Sequence, residues 1–141
     1  LSTNLRALIL IMSVVTSILA FVFFYLLLKS GMDIEKIRSM VFVHISLGSF
    51  FFAFSLKNLS KPIWSINFFS NFYLLGALSI SVVILSFALF VPALQSLLSI
   101  VVLSSSELGL AIGVGFLNLI LIEVLKYYFF GKKQYKKSQI F

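Results

Sequence analysis

Residues 38–56 read RSMVFVHISLGSFFFAFSL, and this stretch decides the class of protein to which the chain belongs. After Arg38 it holds no formal charge, and it carries His44, the one histidine of the chain. A helix rises 1.5 Å per residue, so one of this length covers most of a hydrocarbon core that is about 30 Å thick. The stretch therefore predicts a membrane-spanning helix.

Three further apolar spans accompany this one. Polar segments follow the first two spans, and Pro92 follows the third. We predict the spans at about residues 5–28, 39–56, 72–91 and 108–128. Each is long enough for a helix to cross a bilayer. The predicted fold class is therefore all-α: a polytopic membrane protein whose four helices form two helical hairpins in a single membrane domain, residues 1–141.

The composition agrees with a membrane protein. Hydrophobic residues make up 61% of the 141 and charged residues 11%, whereas a soluble domain is about 45–50% apolar and about a quarter charged. A chain this short cannot bury so much apolar surface in a water-soluble core. Cysteine is absent, which excludes disulfides and thiolate metal sites. The net charge of +7 fits helix orientation in a membrane, and we expect no nucleic acid partner.

The chain begins with Leu1 rather than methionine. We interpret the sequence as a fragment of a longer protein. A signal peptide is not expected, because the first apolar span is too long for an h-region and no small-residue cleavage site follows it.

Lysine and arginine are distributed unevenly between the two sides of the membrane that these spans define. One side receives eight of the eleven, namely Arg6, Lys57, Lys61, Lys126, Lys132, Lys133, Lys136 and Lys137. The other receives Lys29, Lys36 and Arg38, partly offset by Asp33 and Glu35. Cytoplasmic segments carry the excess of positive residues. The count predicts a multi-pass protein with both termini cytoplasmic and a basic tail, 129–141, that can also bind anionic lipid.

The connections between spans carry their own signals. Ser70 or Asn71 is predicted to cap the third helix. Residues 93–103 are apolar but too short to span, so we interpret them as an interfacial or re-entrant segment. Ser104 and Glu107 fit a capping box, in which each side chain bonds to the backbone of the other residue at the start of the fourth helix.

Three short motifs follow one another along the chain. They are Arg38-Ser39-Met40, Phe69-Ser70-Asn71-x-x-Leu74-Leu75-Gly76 and Glu123-x-x-Lys126. In residues, order and spacing they resemble the C-terminal cation-transporting module of P-type ATPases of type II, the calcium-pump group. Val91-Pro92 and Leu103-Ser104 fit the same pattern. The resemblance covers essentially the whole chain and implies helices seven to ten of a ten-helix pump.

This resemblance implies that the parent protein is an ATP-driven cation translocase that uses ATP and Mg²⁺, with calcium suggested by the subgroup. The sequence itself contains no Asp-Lys-Thr-Gly phosphorylation motif. Phosphoryl transfer needs a phosphate cradle, a magnesium site and a positioned acceptor. We therefore expect no catalytic or cofactor-binding residue in this segment, and a role in bracing the ion-binding helices. The expected partners are the lipid bilayer, the other domains of the pump and the transported cation.

Two residues of the second span are candidates for a cation site. His44 is ionisable within a span, although we favour a neutral imidazole hydrogen-bonded to a neighbouring helix; a helical wheel groups it with Gly48 and Ser55. The resemblance places Ser49 where two-site calcium pumps have a glutamate. A hydroxyl is a poor substitute for a carboxylate at a hard cation, so packing and a bond back to the helix backbone are favoured. The wheel groups Ser49 with Ser39 on the opposite face.

The fourth span carries a charged pair and a glycine pattern. Glu123 and Lys126 are one turn apart, and we predict a structural ion pair. Gly109 and Gly113 form a Gly-x-x-x-Gly pattern, for which helix packing is the expected role, and Gly76 is assigned the same role in the third span. Asn118 is expected to hydrogen-bond across helices.

Two rival functions stay open from sequence alone. One is a small stand-alone integral membrane protein that acts as a transporter subunit or scaffold. The other is half of a small channel or permease, against which no span carries a polar stripe long enough to line a water-filled path. Because helices seven to nine would offer only hydroxyls and His44, the sequence also predicts that the intact pump has a single calcium-type site.

Overall fold

The computed structural model describes residues 3–57 and 72–131, and every regular element in these two ranges is helical. In chain order they are α1 (Thr3–Lys29), α2 (Ile34–Lys57), α3 (Phe72–Phe90), α4 (Pro92–Leu98) and α5 (Ser105–Lys126), which continues into a π-helical turn at Tyr127–Gly131. The segments long and apolar enough to cross a membrane are Arg6–Lys29, Ile34–Leu56, Phe72–Phe90 and Ser105–Phe129. The prediction of an all-α, four-span membrane protein is confirmed.

Helix α2 begins a turn earlier than the predicted span at about residue 39. The turn from α1 is short, and Gly31 adopts φ +76°, the left-handed conformation that ends many helices. The polar residues Glu35, Lys36 and Arg38 are therefore helical. Their side chains lie on the first turns of α2, where they can reach the connection between α4 and α5.

A short helix and then a non-helical linker follow α3. Pro92 stands at the start of α4, where its missing N–H leaves no helical bond unmade. The Gln95 amide donates to the Leu89 carbonyl, which the break between α3 and α4 leaves open. Ser99 ends α4 with φ 53°, and residues 99–104 then lead into α5. Part of the predicted interfacial segment 93–103 is thus helical.

The N-terminus of α5 is capped as predicted. The Ser104 hydroxyl accepts a hydrogen bond from the Glu107 N–H at 3.3 Å, and the Glu107 carboxylate accepts one from the Ser104 N–H at 2.7 Å. The two bonds satisfy backbone donors that have no helical partner. The predicted capping box is confirmed, whereas the predicted cap at Ser70 or Asn71 lies outside the described residues, as do most of the 57–71 loop and the tail beyond 131.

Three helices make the interior of the described chain. Helix α2 packs most extensively against α5, and α1 lies against both, while α3 chiefly contacts α4. One apolar cluster joins α1, α2 and α5 near the start of α2 and α5, with Phe23, Leu27, Ile37, Met40, Val43 and Ala111. A second, of Leu8, Met12 and Ile122, lies toward the other end of α5. Polar groups on the shared faces of α2 and α5 are therefore enclosed.

The close helix contacts fall on glycines other than the predicted ones. A Cβ built at Gly76, Gly109 or Gly113 would have no described atom within 4 Å, so the expected packing at these positions is not found in the part of the chain that the structure describes. A Cβ at Gly115 would instead lie 3.3 Å from Leu47 Cβ, and one at Gly48 would lie 2.8 Å from Asn118 Nδ2. The Gly-x-x-x-Gly pattern does not itself specify which face meets a neighbour, and here α5 uses the face of Gly115.

Candidate functional site

Three polar side chains meet where the C-terminal ends of α2 and α5 come together. They are Ser55, Glu123 and Lys126, which we call the buried cluster; Ser55 is completely buried and the two charged residues are 3% exposed. The i,i+3 spacing places Glu123 and Lys126 on one face of α5, with Lys126 Nζ 2.9 Å from Glu123 Oε1. The structure thus brings the predicted pair together and adds Ser55 from α2 as a third member.

The ammonium group of Lys126 has an oxygen acceptor for each of its three hydrogens. Besides Glu123 Oε1, the acceptors are Ser55 Oγ at 3.2 Å and the Ser55 backbone carbonyl at 3.3 Å. A lysine ammonium carries three donors and no acceptor. The Ser55 hydroxyl in turn donates to Glu123 Oε1 at 2.6 Å. Every atom in this ring of contacts comes from two helices, so the cluster joins α2 directly to α5.

Apolar residues of the described chain pack beside the buried cluster. Its neighbours along the helices include Ile122, which is buried with Leu8 and Met12 of α1, and the partly buried Phe52, Leu125 and Phe129 pack against the same three. A single charge in such an environment is costly, whereas a pair with its hydrogen bonds made is tolerated. The carboxylate and the ammonium balance each other, which allows both to lie inside a membrane-spanning bundle.

A second set of polar contacts lies at the opposite ends of the same two helices. It holds the linker 99–104 against the start of α2, and we call these bonds the linker contacts. Arg38 donates to the Ser99 carbonyl at 3.0 Å, and Ser39 Oγ accepts a hydrogen bond from the Val101 N–H at 2.8 Å. The backbone of a non-helical segment needs such partners when it is partly buried. The linker contacts therefore fix how the chain enters α5.

An ion pair completes the linker contacts. Lys36 Nζ lies 2.9 Å from Glu107 Oε1, while the other carboxylate oxygen of Glu107 belongs to the capping box with Ser104. One side chain thus both caps α5 and binds α2. Negative charge at a helix N-terminus is also favoured by the helix dipole. Sequence reasoning identified the cap but not the pair with Lys36.

His44 of α2 is completely buried. Its ring packs edge to face with Phe23 of α1, with centroids 5.5 Å apart and an interplanar angle of 62°. Neither ring nitrogen has a hydrogen-bond partner among the described residues. The hydrogen bond to a neighbouring helix that we expected is not found there. His44 instead packs against an aromatic ring, and its candidacy as a cation ligand stays a prediction.

Asn118 makes the hydrogen bond across helices that the sequence predicts. Its Oδ1 accepts from Thr16 Oγ1 of α1 at 3.2 Å, and the residue is completely buried. Its amide nitrogen lies against the backbone of α2 at Gly48, a position with no room for a Cβ. The three helices therefore meet at one polar side chain in mid-bundle, and Gly48 is the residue that allows the approach.

Ser49 lies on a different face from His44, and the structure does not bring these two candidates together. It is exposed, and its hydroxyl donates to the Ile45 carbonyl one turn back at 2.9 Å. With Ser46 and Ser81 it lines a largely apolar groove of about 370 Å³ among α2, α3 and α4. The described residues contain no group of three or more His, Cys, Asp or Glu side chains that could hold a metal ion.

The sequence does not indicate what two buried serines of α2 contact. A helical wheel groups Ser39 with Ser49, which is exposed, yet Ser39 is completely buried against the linker. The wheel groups Ser55 with His44, and both are buried, but it predicts no partner for Ser55. The signal that could have identified Ser55 is its position: a lone hydroxyl in the last turns of α2, at the depth where α5 carries its only acid and base within an apolar run.

The family model described as "Cation transporting ATPase, C-terminus" matches residues 1–128. The match includes all five helices and all residues of both polar contact sets. A comparison with curated proteins found no match.

Proposed function

The chain belongs to the family of C-terminal regions of cation-transporting ATPases, and from this premise we propose that it is the last membrane module of an ATP-driven calcium pump. The family match over residues 1–128 is the observation that carries the proposal. The choice of calcium follows the resemblance of the Arg38-Ser39-Met40 and Phe69–Gly76 motifs to the calcium-pump group. ATP and Mg²⁺ act in the cytoplasmic domains of the parent enzyme.

Within the pump, we assign this module a bracing role. The chain has four acidic residues. Glu107 and Glu123 are occupied by Lys36 and Lys126, while Asp33 and Glu35 are exposed at the start of α2. A divalent cation prefers several charged oxygen ligands. The carboxylates of the transport site therefore come from other helices of the pump, and this module supports them through an α1–α2–α5 unit tied at both ends.

The proposed activity is tested with the full-length protein in proteoliposomes. ATP-dependent uptake of radioactive calcium is expected, and it should be lost when the aspartate of the phosphorylation motif is replaced. Residues 1–141 alone should give no uptake above empty vesicles, since the segment has no phosphorylation motif. Uptake of a different cation would overturn the calcium assignment, while uptake by the segment alone would favour an independent transporter.

The number of calcium ions that the full-length enzyme occludes tests whether this module braces the transport site or supplies a ligand to it. We propose one occluded calcium ion per phosphorylated full-length enzyme. The resemblance places Ser49 where two-site pumps have a glutamate, and α2 supplies no carboxylate at this position. Ser49→Ala should leave that number unchanged, as the hydroxyl is bonded to its own helix. Two occluded ions in the wild type, falling to one in Ser49→Ala, would show that α2 is a ligand helix.

The proposed orientation has both termini and the 57–71 loop in the cytoplasm, on the basis of the eight-to-three distribution of Lys and Arg. Single cysteines can be introduced at positions 60 and 134, because the native chain has none. An impermeant thiol reagent should label them only after the membrane is permeabilised. Labelling in sealed cells at either position would reverse the topology.

A further inference from the structure

The bonding of Lys126 suggests more than an ion pair. Its Nζ lies at the centre of three oxygens of different kinds: a carboxylate oxygen of Glu123, the hydroxyl of Ser55 and the backbone carbonyl of Ser55, at 2.9, 3.2 and 3.3 Å. We propose that the buried cluster is an oxygen-lined site for one monovalent cation, which the chain fills permanently with its own lysine ammonium group.

The chemistry of the three ligands fits such a cation. Carboxylate, hydroxyl and carbonyl oxygens are the groups that bind hard cations in proteins, and carbonyl oxygens can replace the hydration shell of an alkali ion. Among the described residues the site carries one negative charge, on Glu123, which a single positive charge balances. Ser55, Glu123 and Lys126 are almost completely buried. In that environment the Glu123 carboxylate needs a positive charge beside it.

The tethering of the cation has a consequence for a protein that moves ions. A diffusible ion would occupy the site according to its concentration, and the junction between α2 and α5 would then strengthen or weaken with ionic conditions. Lys126 is fixed three residues from Glu123 on the same helix, so the effective concentration of its ammonium group at the site is constant. The junction is thereby made independent of the ions around it, whichever ion the pump transports.

The test is to vacate the site in the full-length protein with Lys126→Met, which keeps an unbranched apolar side chain one atom shorter and removes the ammonium group. The melting midpoint is measured in detergent at equal ionic strength with potassium, ammonium or the bulky N-methylglucamine cation. The wild type should melt at one temperature in all three. The variant should be least stable in N-methylglucamine and gain at least ~2 °C in potassium or ammonium, because binding to the native state stabilises it.

A matched double variant serves as the control. Lys126→Met combined with Glu123→Gln removes the negative charge of the site, so its melting midpoint should not differ among the three salts. Ser55→Ala added to Lys126→Met removes one oxygen ligand and should reduce the gain in potassium. Equal melting of Lys126→Met in all three salts would overturn the proposal and leave a structural ion pair alone.

Failure of the single variant to accumulate is also decisive. The cytosol is rich in potassium, which would fill the vacated site if the proposal holds. If Lys126→Met does not fold in cells while the double variant with Glu123→Gln does, the site does not accept a diffusible cation and the proposal is wrong. If the single variant folds, rubidium density beside Ser55 in crystals soaked with rubidium salt is the expected direct observation, and its absence at saturating salt would contradict the proposal.

Discussion

The two polar contact sets join the same pair of helices at opposite ends, and each contains a Lys–Glu pair with an N–O distance of 2.9 Å. Their environments differ. The side chains of Lys36 and Glu107 are 41% and 14% exposed, whereas those of Lys126 and Glu123 are 3% and 2% exposed. Water and salt screen the first pair but not the second. Identical N–O distances therefore do not imply identical contributions to the stability of the α2–α5 junction. The exposure of each pair determines how strongly water and salt weaken it.

The two sets also differ in what they hold. The buried cluster bonds side chains to one another and to the Ser55 carbonyl, all within two regular helices. Besides the Lys36–Glu107 pair, the linker contacts bond side chains of α2 to the backbone of a segment that is not helical, through Ser99 and Val101. Loss of the first leaves a buried charge, while loss of the second leaves backbone groups that water can reach.

Replacing Glu123 should give the largest loss of stability. Glu123→Gln keeps the shape of the side chain but leaves the Lys126 ammonium charged in an apolar bundle. Breaking a buried pair from one side costs about 3–5 kcal/mol. The free energy of unfolding, measured by denaturant titration in mixed micelles, should fall by this amount. Glu35→Gln, an exposed acid at the start of α2, is the matched control and should change little.

The second partner shows whether that loss comes from the unpaired charge. Lys126→Met introduced into Glu123→Gln removes the remaining charge and should restore most of the stability, because two neutral groups replace a charge and its vacant partner. A double variant as unstable as the single one would mean that packing at these positions, rather than the buried charge, sets the loss. The contrast between the two ends would then lose its electrostatic basis.

Removing the hydroxyl of Ser55 should have an intermediate effect. Ser55→Ala deletes the donor to Glu123 and one acceptor of Lys126, and hydrogen bonds to charged groups contribute about 1.5–3 kcal/mol. The Ser55 carbonyl remains, so the ammonium keeps two of its acceptors. The matched control is Ser49→Ala, whose hydroxyl bonds only within α2 among the described contacts. Equal effects of the two alanines in a thermal melt would refute the special role of Ser55.

Glycine substitutions extend the contrast from charge to packing. Gly48→Ala places a methyl group 2.8 Å from the amide nitrogen of Asn118, whose Oδ1 is already held by Thr16. Overpacking of this kind costs about 1–3 kcal/mol. Gly109→Ala meets no described atom within 4 Å and should be neutral or slightly stabilising, since alanine is the better helix former.

The same pair of variants also tests the packing role that the sequence assigned to Gly109. If Gly109→Ala in the full-length protein lowers the melting midpoint as much as Gly48→Ala, another helix of the pump packs closely on α5 at that position. The sequence prediction of helix packing would then hold for a contact outside the described chain.

How far the sequence could predict these features depends on how far apart the partners lie in the chain. Apolar spans and the capping box follow from neighbouring residues, and the spacing of Glu123 and Lys126 places them together on one helix. Ser55 and Glu123 are 68 residues apart, and Lys36 and Glu107 are 71 apart. Those contacts depend on how α2 and α5 are rotated against each other. An almost uniformly apolar helix gives little periodic signal of that rotation, which is why a helical wheel groups the buried Ser39 with the exposed Ser49.

The smallest effect is expected at the linker contacts. Lys36→Ala removes the exposed partner of Glu107, but the carboxylate keeps its bond from the Ser104 N–H and its place at the helix N-terminus. Because the pair is partly exposed, its contribution should decline as salt screens it. Any lowering of the melting midpoint at low salt should therefore disappear near 1 M salt, whereas the loss caused by Glu123→Gln should persist, as its charge is buried. Salt dependence at Glu123 equal to that at Lys36 would show that water reaches both ends of the α2–α5 junction, and that the difference in their environments does not control their energetics.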